Sequence, residues 1–208
     1  SEGNLLVTGV FWFDTPFEGD TLRFVKEADV FLAKFDSNGT LLWKTYFGSD
    51  TYEYAYGIGI DSKDNVYIGG YFYDSLVIGT DTLNAPNDAD VYIAKFDKNG
   101  NYLRSKQLGY LNSDGFETLT VDSEDNLTIH ETSRTKWLAT YIFNKDEVVG
   151  IKISQYKKKA GALLPNPVSI NLSFKESCSL IDFVNFLSKA DLKSVSAGKL
   201  ELSDSLEL

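Results

Sequence analysis

The sequence predicts an all-β chain, and three observations carry that expectation. Short segments rich in Val, Ile, Tyr, Phe and Thr alternate apolar with polar residues along most of its length, as half-buried strands do. Clusters of Asp, Asn, Ser and Gly punctuate them, which suits tight turns. The segments also return at a fixed offset of 61 residues, the mark of stacked, like supersecondary units.

The repeat is explicit. Ala28-Asp29-Val30-Phe31-Leu32-Ala33-Lys34-Phe35-Asp36 returns as Ala89-Asp90-Val91-Tyr92-Ile93-Ala94-Lys95-Phe96-Asp97. Asn38-Gly39 returns as Asn99-Gly100, and Asn4–Gly9 as Asn65–Gly70. Asp61-Ser62 and Asp64-Asn65 return as Asp122-Ser123 and Asp125-Asn126. Within one unit, residues 57–61 form a short strand that turns at Asp-Ser-x-Asp-Asn into a strand over 65–72. Residues 91–97 and 102–109 form a hairpin around Asn99-Gly100, since Asn-Gly supplies the positive φ such loops need. Residues 74–83 are an extra hairpin or a long loop.

Four antiparallel strands per unit predict a β-propeller blade. The third unit is compressed, with its last hairpin over 139–156, and the first lacks its opening strand. The chain thus holds about 2.7 blades, a partial propeller, since closed ones typically have four to eight. A parent protein longer at its N-terminus is expected.

Composition narrows the function. The chain has 208 residues, a net charge of −10, one Cys, one His and no Met. Acidity at this level opposes nucleic acid as a partner. A lone Cys makes no internal disulfide, and no Cys/His cluster offers a metal site. No apolar run approaches the ~18 residues of a membrane helix. All three Trp and all twelve Tyr precede residue 157, a composition step that marks a domain boundary. At that step stand Lys157, Lys158, Lys159, Ala160 and Gly161, read as part of an exposed linker over 158–163. The domains expected are therefore 1–157 and 164–208.

The run Gly57-Ile58-Gly59-Ile60-Asp61-Ser62-Lys63-Asp64-Asn65-Val66-Tyr67-Ile68-Gly69-Gly70, followed by Asp90-Val91-Tyr92-Ile93-Ala94-Lys95-Phe96-Asp97, resembles the bacterial β-propeller repeats called SBBP. The resemblance covers about residues 1–156 and implies a large exported or surface protein. It implies a fold more than an activity.

The tail opens on Leu164-Pro165-Asn166-Pro167-Val168-Ser169, which forces an extended turn. An alternating strand over 170–174 follows, then an apolar run over 180–187. That run suits a strand or a helix capped by Ser179; a strand is preferred, because only one helical face would be apolar. With a Leu-x-Leu-Ser strand at Leu200 and Leu202, the order resembles the C-terminal sorting domain (type A) of type IX secretion cargo. Phe186 is followed by Ser188-Lys189-Ala190-Asp191 in place of a Gly-rich turn. The resemblance implies a small β-sandwich acting as an export signal, with Pro165, Asn166, Pro167, Val168, Leu200 and Leu202 as its markers. It implies as partners the outer-membrane translocon, a shuttle protein, a surface sortase-like protease cutting near Lys157–Gly161, and lipopolysaccharide. The protein would be secreted or held at the cell surface.

No catalytic residue, cofactor or metal is expected. His130 stands at the repeat position of Gly69 without an evident nucleophile. Cys178 reads as a small apolar residue. Asp36-Ser37-Asn38-Gly39, Asp97-Lys98-Asn99-Gly100 and the Asp61/Asp64 pair lack the alternating oxygens and final Glu of a calcium loop, and read as turns. Asp20-Thr21-Leu22, Asp74-Ser75-Leu76 and Asp81-Thr82-Leu83 resemble bacterial O-glycosylation motifs, though repetition at 61 residues also suits a turn. Trp12, Phe13, Tyr52, Tyr54, Tyr56, Tyr71 and Tyr73 gather near strand ends. They suit packing between blades, or stacking on sugar rings in a carbohydrate-binding or adhesive module. A glycan-active enzyme would need its active site outside this chain.

Overall fold

The computed structural model describes residues 3–108, 114–133, 137–144, 147–159 and 162–173. Every element in this part is a strand. The first sheet joins β1 (Leu5–Phe11), β4 (Asp29–Phe35) and β5 (Leu41–Phe47), with a separate small hairpin of β2 (Thr15–Phe17) and β3 (Asp20–Leu22). The second is a four-stranded meander of β6 (Glu53–Ile60), β7 (Val66–Ile78), β8 (Asp81–Phe96) and β9 (Tyr102–Leu108). The third joins β10 (Asp114–Val121), β11 (Leu127–Ser133), β12 (Trp137–Asn144), β13 (Glu147–Lys159) and β14 (Ala162–Ser173). Neighbouring strands pair antiparallel throughout.

Alternation decides which face is buried. On β7, Ile68 and Phe72 point into a core shared with the first sheet, where they meet Val30, Leu32 and Phe47. The Phe47 ring meets Tyr92 edge-on at 6.0 Å and stacks on Phe96 at 6.3 Å. Burying such side chains stabilises by roughly 1.5–3 kcal/mol each. The opposite face of the second sheet meets the third. There Gly57 and Gly69 leave a slot for the Phe116 ring of β10; a Cβ on Gly69 would lie 2.4 Å from that ring.

The predicted four-strand unit appears whole in the second sheet. Residues 74–83 are a hairpin, formed as β7 and β8 continue past the sheet and pair from Asp74↔Ala85 to Ile78↔Asp81. The β2–β3 hairpin is the same feature 61 residues earlier, with Thr15↔Leu22 matching Leu76↔Leu83. The compressed last hairpin of the third unit is β12 with β13.

Part of the stretch read as a linker lies in strands. Lys157, Lys158 and Lys159 close β13 and pair with Leu164, Leu163 and Ala162 of β14. β13 itself lies between β12 and β14 in the sheet order. Pro165, Asn166, Pro167 and Val168, expected in a turn that opens a separate domain, lie within β14. β14 is the outer strand of its sheet, the place where a proline without an N–H is tolerated. The register shifts between Ser154 and Tyr156, opposite this stretch. Ala160, Gly161, Leu200, Leu202, Cys178 and the strands expected after residue 173 lie outside the described residues.

Candidate functional site

Five tyrosines form one surface at the end of the second sheet where β6 begins. Tyr54 and Tyr56 stand on β6, Tyr52 immediately before it, and Tyr71 and Tyr73 on β7. Register sets Tyr54 directly opposite Tyr71, and their ring centroids are 4.9 Å apart. Tyr52 lies nearly parallel to Tyr54 at 6.4 Å, and Tyr54 stacks on Tyr56 at 6.1 Å. Tyr56 also stacks on Tyr71 at 5.6 Å, while Tyr73 meets Tyr71 and Tyr52 edge-on.

A bulge makes the outermost ring available. Ala55 pairs with Gly70 and Gly57 with Gly69, so Tyr56 has no partner on β7. An unpaired bulge residue bends the strand and re-aims its side chain. Tyr56 is 58% exposed and Tyr52 42%, whereas Tyr54, Tyr71 and Tyr73 are half-buried. Burial, then a hydrogen bond with Tyr56, raises the Tyr71 hydroxyl pKa well above the usual phenol value. Burial raises that of Tyr54, and a hydrogen bond with Glu27 raises that of Tyr52. These three phenols stay neutral across the physiological range. The site is a platform of stacked rings edged with hydroxyls.

The other face of β6 is polar in an unexpected way. Glu53 and Asp29 are fully buried, and neither has an ion pair among the described residues. Burial raises the Glu53 pKa to about 7 and the Asp29 pKa to about 6. Asp90, the repeat counterpart of Asp29, is likewise raised by burial to about 6.

At the opposite end of the same strands lies a polar cavity of about 560 Å³ between the first and second sheets, lined by Leu6, Trp43, Ile60, Asp64, Lys98 and Asn99 among others. Trp43 Nε1 donates to the Lys98 carbonyl at 2.9 Å. The Trp43 ring covers Gly100, where a Cβ would lie 2.6 Å away and φ is +83°.

The repeated aspartates are turn formers. Oδ1 of Asp36, Asp61, Asp97 and Asp122 accepts the backbone N–H groups two and four residues on, at 2.8–3.0 Å. The Asn-Gly and Asp-Asn turns are thus one design, with the positive φ at Gly39, Asp64, Gly100 and Asp125. Trp12 and Phe13 are exposed, and no ring contact joins them to the five tyrosines among the described residues. His130 lies in β11 opposite Thr118 and Thr140. Sequence reasoning picked out the five tyrosines and missed Asp29 and Glu53. The recurrence of an acid at positions 29 and 90 was the available signal.

Residues 42–71 match the family described as SBBP, beta-propeller repeat. The match runs from β5 to the middle of β7 and contains Tyr52, Tyr54, Tyr56 and Tyr71. No curated protein matches the chain.

Proposed function

We propose that this chain belongs to an exported β-propeller protein that binds rather than catalyses, with the five-tyrosine surface as its contact site and saccharides as its ligands. The exposed, mutually stacked rings carry this reading. Sugar rings present C–H faces that pack on aromatic faces, while hydroxyls at the rim fix orientation. Residues 164–208 serve as the export signal, read by an outer-membrane type IX translocon and its shuttle protein. Pro165, Asn166, Pro167, Val168, Leu200 and Leu202 support this by their order in the sequence. A sortase-like protease would cut near Lys157–Gly161, leaving the propeller secreted or on the cell surface.

Two experiments test the two halves. Deleting 164–208 should leave the protein inside the outer membrane; unchanged export ends the sorting half. On a panel of surface polysaccharides, Tyr56→Ala should weaken binding about tenfold, since one stacked ring is worth about 1.4 kcal/mol. Equal binding by wild type and Tyr56→Ala contradicts the contact site.

A further inference from the structure

We infer that Glu53 is a neutral carboxylic acid in the folded chain, and that its proton closes a hydrogen-bond relay fastening the connection between β5 and β6 onto β7. A hydroxyl carries a single donor hydrogen. Thr51 Oγ1 lies 2.6 Å from the Tyr73 carbonyl, and Ser49 Oγ is in hydrogen-bond contact with the Ser75 carbonyl. Carbonyls only accept, so each hydroxyl gives its hydrogen to β7. Yet Glu53 Oε1 also contacts Ser49 Oγ, and lies 3.3 Å from Thr51 Oγ1. A carboxylate there would set oxygen against oxygen with no hydrogen between them. A carboxylic acid resolves the Ser49 contact, with Oε1–H donating to Ser49 Oγ, and the longer Thr51 contact lies outside the relay. Oε2 is then the carbonyl oxygen, and it accepts the Ser49 backbone N–H at 3.1 Å.

The surroundings favour the neutral form. Asp29 on β4 faces Glu53 and repels a second negative charge. Tyr92 on β8 is fully buried nearby, and its hydroxyl has no hydrogen-bond partner among the described residues. From β7 come the carbonyls of Tyr73 and Ser75. On the connection itself, Tyr52 bonds Glu27. No ion pair to Glu53 or Asp29 exists among the described residues. Gly48, which opens the connection, has no room for a side chain, since a Cβ would lie 2.0 Å from Asp29 Oδ1.

The relay sits beneath the tyrosine surface. The connection is also tied by Glu53 N–H to the Ala28 carbonyl at 2.9 Å and by Tyr73 N–H to the Tyr52 carbonyl at 3.2 Å. Loss of the Glu53 proton to water places a buried anion against the Ser49 hydroxyl, whose hydrogen points to β7. The connection, and Tyr52 with it, then loosens. The lock is closed below about pH 7 and opens above it.

The direct test is carboxyl-carbon NMR of the full chain between about pH 4 and about pH 9, with Glu53 assigned through bonds so that no variant is needed. Glu53 should keep the protonated shift up to near neutrality and titrate there. Titration near the ordinary value of 4.5 overturns the inference. So does a Glu53 signal moved by calcium at fixed pH, because a cation would then occupy these oxygens. Glu53→Gln preserves the relay, its amide donating to Ser49 Oγ and accepting from the Ser49 N–H. It should remove most of the loss of Tm between about pH 6.5 and about pH 8. An unchanged loss in that variant also overturns the inference.

Discussion

Single residues hold the sheets to one another. Phe116 is buried between Gly57 and Gly69 of the neighbouring sheet. Its replacement leaves a cavity bounded by two glycines, which have no side chains to move into it. Phe116→Ala should therefore cost about 3–5 kcal/mol, read from urea denaturation midpoints. A cost below about 1 kcal/mol would mean that the second and third sheets do not interlock through this ring. A polar stitch joins the same pair at the turns: Asp125 accepts both the N–H and the hydroxyl of Ser62, each at 2.6 Å. That stitch is solvent-exposed. Ser62→Ala should cost well under 1 kcal/mol.

At the scale of elements, the Asp-x-x-x-Asn/Thr turn recurs four times with the same bonds, so its effect should follow burial. Asp61 is buried. Burial works to raise its pKa, but hydrogen bonds from Asn65, Lys63 and Lys95 outweigh it and lower the pKa. Asp61→Ala should cost about 2–3 kcal/mol, measured by thermal or urea unfolding. Asp36→Ala, at an exposed copy of the turn, should cost clearly less. Equal losses would mean that the carboxylate serves the turn alone and the Lys95 ion pair, at 3.3 Å, contributes nothing.

Strands and turns were legible because each depends on neighbours in sequence. Alternation marks a strand's two faces, and Asp, Asn and Gly mark its ends. The bulge at Tyr56 was not legible, since it is a property of register between β6 and β7. The Ser49–Glu53 relay was equally hidden, because it depends on where β7 places two carbonyls. The strand at Lys157–Lys159 was hidden for a different reason. Its composition fits a tether and a strand alike, and the pairing with β14 distinguishes them.

For the whole molecule, stability should depend on pH in a definite sense. Glu53, Asp29 and Asp90 have folded-state pKa values above their ordinary ones. Each binds its proton more tightly when folded. Their contribution is complete below about pH 4 and is lost as pH rises through about 6 and about 7. The turn aspartates Asp36, Asp61, Asp97 and Asp122 are lowered instead. They stabilise above the ordinary carboxylate range, and that contribution is lost as pH falls through their lowered values. Maximum stability should fall on the acidic side of neutrality, with Tm lower by on the order of 5 °C at about pH 8 than at about pH 5. A Tm that rises over that interval would mean these three acids are ionised in the fold.

The central claim is that the stacked tyrosines are the working surface. It is tested most directly by following tyrosine ring resonances while a saccharide panel is added to the intact chain. The account expects Tyr56 and Tyr52 to shift first and furthest, with Tyr54 and Tyr71 following. The loss should be selective: Tyr56→Ala abolishes the shifts, and Trp43→Ala, at the far end of the strands, leaves them intact. Saccharide-induced shifts confined to the Trp43 cavity, or none on the tyrosines with any saccharide, would contradict it.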